Sequence, residues 1–341
     1  MRSFTFQRAG DADEAVRAAA SMIPTSVVAQ TEASTQFLAG GTTLVDLMKL
    51  DVMRPDRLID INALSRRYGE IHVHESELRL GGLARMADVA EHPVIQRDYP
   101  VIAQSLQLAA SQQLRNMASL SGNVLQRTRC SYFRDVSWLA CNKRAPGTGC
   151  AAMDGVNRGH AILGVSDHCI ASYPGDFAQA LIALDASVEI LGSSGAVTLP
   201  FAQLHREPGD SPHLETRLAP GALITAFTIP TGSWTRRSLF LKIRDRESYE
   251  FAAASAAIAL DLQEGIVKEA RIALGGVATI PWRAREAEAV LAGSRLNQER
   301  ADEAARAAFA GAKPRPGNRF KVELGKRTLV RALLQTAALE V

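Results

Sequence analysis

All four cysteines of this chain, Cys130, Cys141, Cys150 and Cys169, fall within one stretch of forty residues, with none before it and none after. Four thiolates are what a tetrahedral metal centre or a cubane iron–sulfur cluster requires. The stretch is rich in Gly, Pro, Asn and Arg (CNKRAPGTGC), so it reads as a structured loop and not as a helix or strand. The rest of the fold has to accommodate that loop. Ten, eight and eighteen residues separate successive cysteines. No C-x2-4-C knuckle of a structural zinc site is present, and neither is the C-x2-C-x2-C run of bacterial ferredoxins. Disulfides fit four cysteines arithmetically, but they suit exported chains. Cluster, zinc and disulfide all stay open on spacing alone.

A chain of 341 residues exceeds what one hydrophobic core usually serves, so two domains are expected. Basic and acidic residues nearly balance, 39 against 36, and no run of like charge stands out. That argues against nucleic acid or an anionic membrane as partner. No apolar run approaches the ~18 residues of a spanning helix, so direct membrane insertion is not expected. The first residues, MRSFTFQRAGDADEAV, lack the basic flank and apolar core of a secretion signal. A cytoplasmic location follows, or a periplasmic one if an exported partner carries the chain.

Hydrophobic patterning orders the elements. Ser3–Gln7 alternates as a strand, and Asp11 with Glu14 forms a capping box opening a helix to about Met22. Residues 58–61 and 78–83 read as strands and 101–110 as an apolar helix. Residues 187–199 make a hairpin, and 223–229 form a strand that ends at Pro230. Thr231-Gly232-Ser233 marks the expected boundary between domains 1–230 and 231–341. Beyond it, Ser238–Arg244, Ala254–Leu262 and Ile266–Leu274 read as three strands. Helices near 283–292, 297–310 and 319–337 follow, with a linker at Lys313–Gly317. Strands followed by helices indicate an α+β class.

Two glycine-bearing segments carry chemistry. Phe37-Leu38-Ala39-Gly40-Gly41-Thr42-Thr43-Leu44 runs into residues with helical apolar spacing. Consecutive amides at a glycine corner, threonine hydroxyls and a helix start together make a phosphate cradle. An ordinary Gly-Gly turn accounts for the same residues, and the G-x-G-x-x-G fingerprint is absent. The second segment, Ser119-Leu120-Ser121-Gly122-Asn123, again permits close backbone approach, and Asn123 adds a donor and an acceptor.

Taken in order, LAGGTTLVDLMKL, LRNMASLSGNVLQRTRC, PGDFAQALIALDA, LKIRDRESYEFA and LGGVATIPWRAREAEAVLAG resemble the FAD-binding medium subunits of the molybdenum hydroxylases. That family includes xanthine dehydrogenases, carbon monoxide dehydrogenases and aldehyde oxidoreductases. The likeness runs from Phe4 to the terminal helix. The cysteine insert, about 127–172, resembles the branch whose flavin subunit also carries a [4Fe–4S] cluster, as in bacterial periplasmic aldehyde oxidoreductases. The resemblance implies a two-part FAD-binding domain of the vanillyl-alcohol-oxidase type, followed by a three-stranded sheet with a helix bundle.

It also implies roles. Phe37 to Leu44 wrap the FAD pyrophosphate, and Ser119 to Asn123 approach the flavin–ribityl side. Asp176 accepts from cofactor hydroxyls, Leu218 packs near the flavin and Lys242 lies beside it. Cys130, Cys141, Cys150 and Cys169 ligate the cluster. Each of the three single residues has a plainer reading: Asp176 as a helix N-cap, Lys242 as a solvated edge residue, Leu218 as core. Many relatives carry an acid where GGTT stands and a second glycine where SLSGN stands, differences that bear on tuning of the flavin and not on its binding.

The resulting expectation is an electron-transfer subunit of a molybdenum-dependent aldehyde oxidoreductase without catalytic residues of its own. Its partners would be a molybdenum-cofactor large subunit, a [2Fe–2S] small subunit and an external electron acceptor. Two alternatives stand beside it: a free-standing FAD oxidoreductase, and a non-catalytic subunit with a zinc-clamped loop.

Overall fold

The computed structural model describes residues 1–20 and 29–341. Three sheets organise the chain. The first is parallel, with β1 (Thr5–Arg8) and β2 (Thr35–Leu38) flanking β3 (Arg57–Asp60). The second is antiparallel and contains β4 (Ile71–Val73), β5 (Glu77–Gly81), β6 (Ser187–Gly192), β7 (Gly195–Pro200) and β8 (Leu223–Pro230), in the order β4-β5-β8-β6-β7. The third, also antiparallel, holds β9 (Ser238–Ile243), β10 (Ala254–Gln263), β11 (Ile266–Gly275) and β12 (Trp282–Arg283), in the order β12-β11-β10-β9.

The three strands expected after residue 231 are all present, and the two-residue β12 extends them to a fourth. Helices Arg285–Leu291, Gln298–Ala308 and Phe320–Ala337 follow, as the patterning requires. Their alanine-rich inner faces let the helices approach closely, and Ala301, Ala304, Ala305 and Ala308 of the second are all buried. The expected hairpin forms in register, Val188 opposite Leu199 and Ile190 opposite Val197. The N-terminal helix covers Ala12–Ala20, and its expected end at Met22 lies outside the described residues. Among the described residues no helix is long and apolar enough to cross a membrane.

Helix Phe177–Ala183 is buried at every position. It lies between the apolar helix Pro100–Gln107 and strands β10 and β11, which explains a sequence with no polar face. Phe177 and Phe201 both meet Phe227 of β8 nearly edge-on. The largest core therefore runs from β5 and β8 through this helix to Ala257 and Ala273 of the third sheet.

The cysteine stretch departs from a plain loop in two places. Ser131–Arg134 makes one helical turn, and Cys141 pairs with Cys150 as an isolated antiparallel bridge. Hydrogen bonds Asn142 N to Gly149 O (2.7 Å) and Ala151 N to Ala140 O (2.9 Å) flank that bridge, so both thiols leave the same face.

Candidate functional site: two adjoining cavities

A cavity of about 670 Å³ opens between the first sheet and the second. That volume is in the range of cofactor sites. Its wall contains Phe37, Ala39, Gly40, Gly41, Thr42, Thr43 and Leu44 on one side and Ser119, Ser121 and Gly122 on the other. The side chains of Leu38 and Leu120 instead turn into apolar clusters, which anchor each segment from behind.

The first segment is β2, a tight corner and the helix Leu44–Lys49. Gly41 sits at φ +72°, where a side chain would be strained. At Gly40 the constraint is steric: a Cβ would lie 2.0 Å from the Met117 carbonyl oxygen. Thr43 leads into the helix without using its hydroxyl as a cap.

The second segment is more ordered than the loop expected. Ser119 Oγ accepts from Gly122 N at 3.2 Å and caps a short helix, Leu120–Val124. Backbone bonds Leu120 N to Ala84 O (3.0 Å) and Ser121 N to Gly82 O (2.8 Å) fix it to the end of β5. Asn123 stands behind the lining; its Nδ2 faces Met86 Sδ at 3.4 Å, and its buried Oδ1 has no hydrogen-bond partner among the described residues.

A strap with no sequence signature ties the two segments together. Asn62 Nδ2 donates to Ala39 O at 3.1 Å, Arg85 Nη2 donates to Asn62 Oδ1 at 3.0 Å, and Arg85 Nη1 donates to Met117 O. One amide and one guanidinium thus bridge the glycine corners.

Leu218 lines the cavity and packs against the main core. Asp176 and Lys242 do not line it. They meet each other at 2.7 Å, 4% and 1% exposed, and Lys242 Nζ also donates to Leu108 O at 3.0 Å. Neither plainer reading survives: Asp176 makes no cap hydrogen bond, and Lys242 is not solvated. Burial raises the Asp176 carboxyl above the usual range, against the opposing pull of Lys242 and Arg244. Beside them the buried Gln179 amide lacks partners among the described residues.

A second, much smaller cavity lies in the insert, and all four cysteines line it. All are free thiols. Cys130 Sγ is 3.2 Å from His160 Nε2, and Ala171 N donates to Cys169 Sγ at 3.4 Å. Burial pushes the Cys130 thiol up to about 12 and that of Cys169 to about 11, although the Lys143 ammonium draws Cys169 back down. Among the described residues, no three His, Cys, Asp or Glu side chains converge tightly enough to hold a single metal ion. Lys143, Cys169 and Ala171 belong to the walls of both cavities, so the two adjoin.

The larger cavity is also walled by residues not expected from the sequence. Glu215 accepts from Lys143 Nζ at 2.8 Å and pairs with Arg127. His205 Nε2 donates to Val124 O at 3.2 Å and meets Tyr173 and Phe201 edge-on. Arg127 and Lys143 lie beside the cysteines in the chain, a signal that basic residues near thiols could have supplied. Glu215 and His205 carried none.

Comparison with known proteins gives a consistent picture. Residues 2–232 match the family model described as the FAD binding domain in molybdopterin dehydrogenase, and residues 240–341 match the CO dehydrogenase flavoprotein C-terminal domain. The aldehyde oxidoreductase FAD-binding subunit PaoB of Escherichia coli K12 is 42% identical over 339 residues, covering 99% of each chain. The glyceraldehyde dehydrogenase medium chain of Sulfolobus acidocaldarius is 22% identical over 78% of this chain and 76% of its own. A solved carbon monoxide dehydrogenase from Hydrogenophaga pseudoflava shares the fold, with a TM-score of 0.74 at 23% identity, covering 98% of this chain and 97% of that one.

Proposed function

This chain belongs to the FAD-binding medium subunits of the molybdenum hydroxylases, and from that premise we propose that it is the electron-transfer subunit of an aldehyde-oxidising member, holding FAD in the larger cavity and a [4Fe–4S] cluster in the smaller. One observation carries the reading: the only four thiols of the chain face a single pocket whose wall is also the wall of the larger cavity.

The residues suit both groups. Gly40 leaves no space for a side chain where the backbone of one segment meets the other, and Thr42 and Thr43 face the cavity with hydroxyl donors. These, with Ser119, Ser121, Gly122 and Leu218, would hold the dinucleotide. Asp176 and Lys242 would enter its surroundings as a fixed ion pair and not as separate contacts. Cys130, Cys141, Cys150 and Cys169 would hold the cluster: all four line one small pocket, and four thiolates are the ligand set of a cubane. When bound, flavin supplies the exchange between single electrons from iron–sulfur groups and electron pairs for an acceptor. The protein positions that chemistry, excludes water from it and sets its electrostatics.

The 42% identity to an aldehyde oxidoreductase subunit supports aldehyde as substrate class, with oxidation occurring on a molybdenum-bearing large subunit and electrons passing through a [2Fe–2S] small subunit. The compartment would follow those partners. The test is composition of the complex purified anaerobically. One FAD and four cluster irons with acid-labile sulfide are expected in this subunit, and Cys141→Ser should lose that iron while keeping the flavin. Zinc in place of iron would remove the cluster from the reading; absence of flavin would remove all of it.

A further inference from the structure

A group of buried charges stands where the two cavities adjoin: Lys143 lines both, and Arg127 and Glu215 line the larger. Lys143 Nζ donates to Glu215 Oε1 at 2.8 Å and to Pro212 O at 3.1 Å, and Arg127 pairs with the other Glu215 oxygen. Their side chains are 11%, 17% and 6% exposed. The Arg127 guanidinium lies over the Phe133 ring, 5.0 Å from its centre, and its Nη atoms find no hydrogen-bond partner among the described residues. The surrounding cations hold the Glu215 carboxyl below its ordinary range in spite of burial. Two cations and one carboxylate leave one net positive charge.

Burying an unbalanced charge is costly unless an anion faces it. The anions that would face it are the dinucleotide's diphosphate in the larger cavity, which Arg127 and Lys143 both line, and ligating cysteine thiolates in the smaller, which Lys143 and Cys169 both line. The group also joins parts of the chain with different duties. Arg127 and Lys143 come from the cysteine insert, while Glu215 comes from the segment that walls the larger cavity alongside Leu218. A cluster held by the four cysteines would, on reduction, take up one electron from a partner's iron–sulfur group with no bond made or broken. Negative charge in the cage grows by one unit. A fixed ammonium beside the cage favours that state, and a carboxylate behind the ammonium opposes it.

We infer that Lys143 is a positioning residue for electron exchange between the two cofactor sites, its ammonium held at the shared wall by Glu215 and raising the reduction potential of the cluster, with Glu215 setting the limit of that rise. The inference rests on the cluster reading given above.

The experiment is a redox titration of the intact complex followed by the electron paramagnetic resonance of the cluster, with iron and FAD counted first in every variant. Lys143→Gln should lower the midpoint, Glu215→Gln should raise it, and Lys143→Arg should stay near the wild type. Opposite signs from the two neutralising substitutions are what a purely structural clamp would not produce. If Lys143→Gln loses its iron, the direction of Glu215→Gln decides. Unmoved midpoints, or shifts of the same sign, in complexes with full iron overturn this inference and leave the cluster standing. A wild-type complex without cluster iron overturns both.

Discussion

Gly40 packs against Met117 so closely that a Cβ on the glycine would lie 2.0 Å from the Met117 carbonyl oxygen and 3.2 Å from the Cα of Ala118. Both obstacles are backbone, and that backbone is pinned to the start of the helix Met86–Glu91 through Met86 N to Ala118 O at 3.0 Å. The glycine pair is thus a contact between two halves of a binding site as well as a turn. Gly40→Ala should drive the segments apart at a cost of ~1–3 kcal/mol and weaken FAD binding by roughly 5- to 150-fold. FAD per chain after desalting, and the Kd on re-adding FAD, measure it. Gly122→Ala is the comparison: its Cβ would meet only the Ser119 hydroxyl, at 3.0 Å, so it should retain more flavin.

The Asn62–Arg85 strap yields a second expectation. Asn62→Ala deletes the donor to Ala39 O and the acceptor for Arg85, leaving polar groups that must find water. A loss of about 1–2 kcal/mol should appear as weaker FAD binding, because what the strap fixes is the spacing of the two segments. If Asn62→Ala melts earlier yet binds FAD like the wild type, the strap serves the fold and not the site.

Local order along the chain was legible; pairings across it were not. The hairpin at Ser187–Pro200 and the strands and helices after Ser238 declare themselves by period. The glycine segments declare themselves by composition, and the clustered cysteines by count. In contrast, β2 is four residues long, too short for alternation to register. The helices Gln112–Met117 and Leu120–Val124 are single capped turns, which a sequence shows only as serines followed by mixed residues. Asn62 and Arg85 share no pattern, and nothing within 66 residues of Asp176 announces that Lys242 will neutralise it. Tertiary polar contacts have no sequence period, so they emerge only once the sheets are assembled.

The Asp176–Lys242 pair is nearly sealed from solvent. Removing one partner leaves a charge, or a carboxyl forced to take up a proton, inside the core. Lys242→Met should destabilise the protein by roughly 3–5 kcal/mol, whereas Asp176→Asn with Lys242→Met should recover much of that loss. Thermal unfolding of both variants measures the coupling. FAD titration of the folded double variant then tests the cofactor role separately: unchanged affinity would confine the pair to stability.

His205 makes the fold sensitive to acid. Burial lowers the imidazole from 6.5 to about 4, so the folded protein keeps it neutral where the unfolded chain protonates it. Between those values the unfolded state binds the extra proton, and stability falls as pH falls. The contribution is complete above pH 6.5 and declines toward pH 4 by about 3 kcal/mol in all. Because His205 lines the larger cavity and packs on Tyr173, flavin should be released along with the loss. His205→Gln cannot take up that proton and should show a flatter profile of unfolding temperature and FAD retention from pH 7 to pH 4.5. Parallel wild-type and variant profiles would place the acid sensitivity elsewhere.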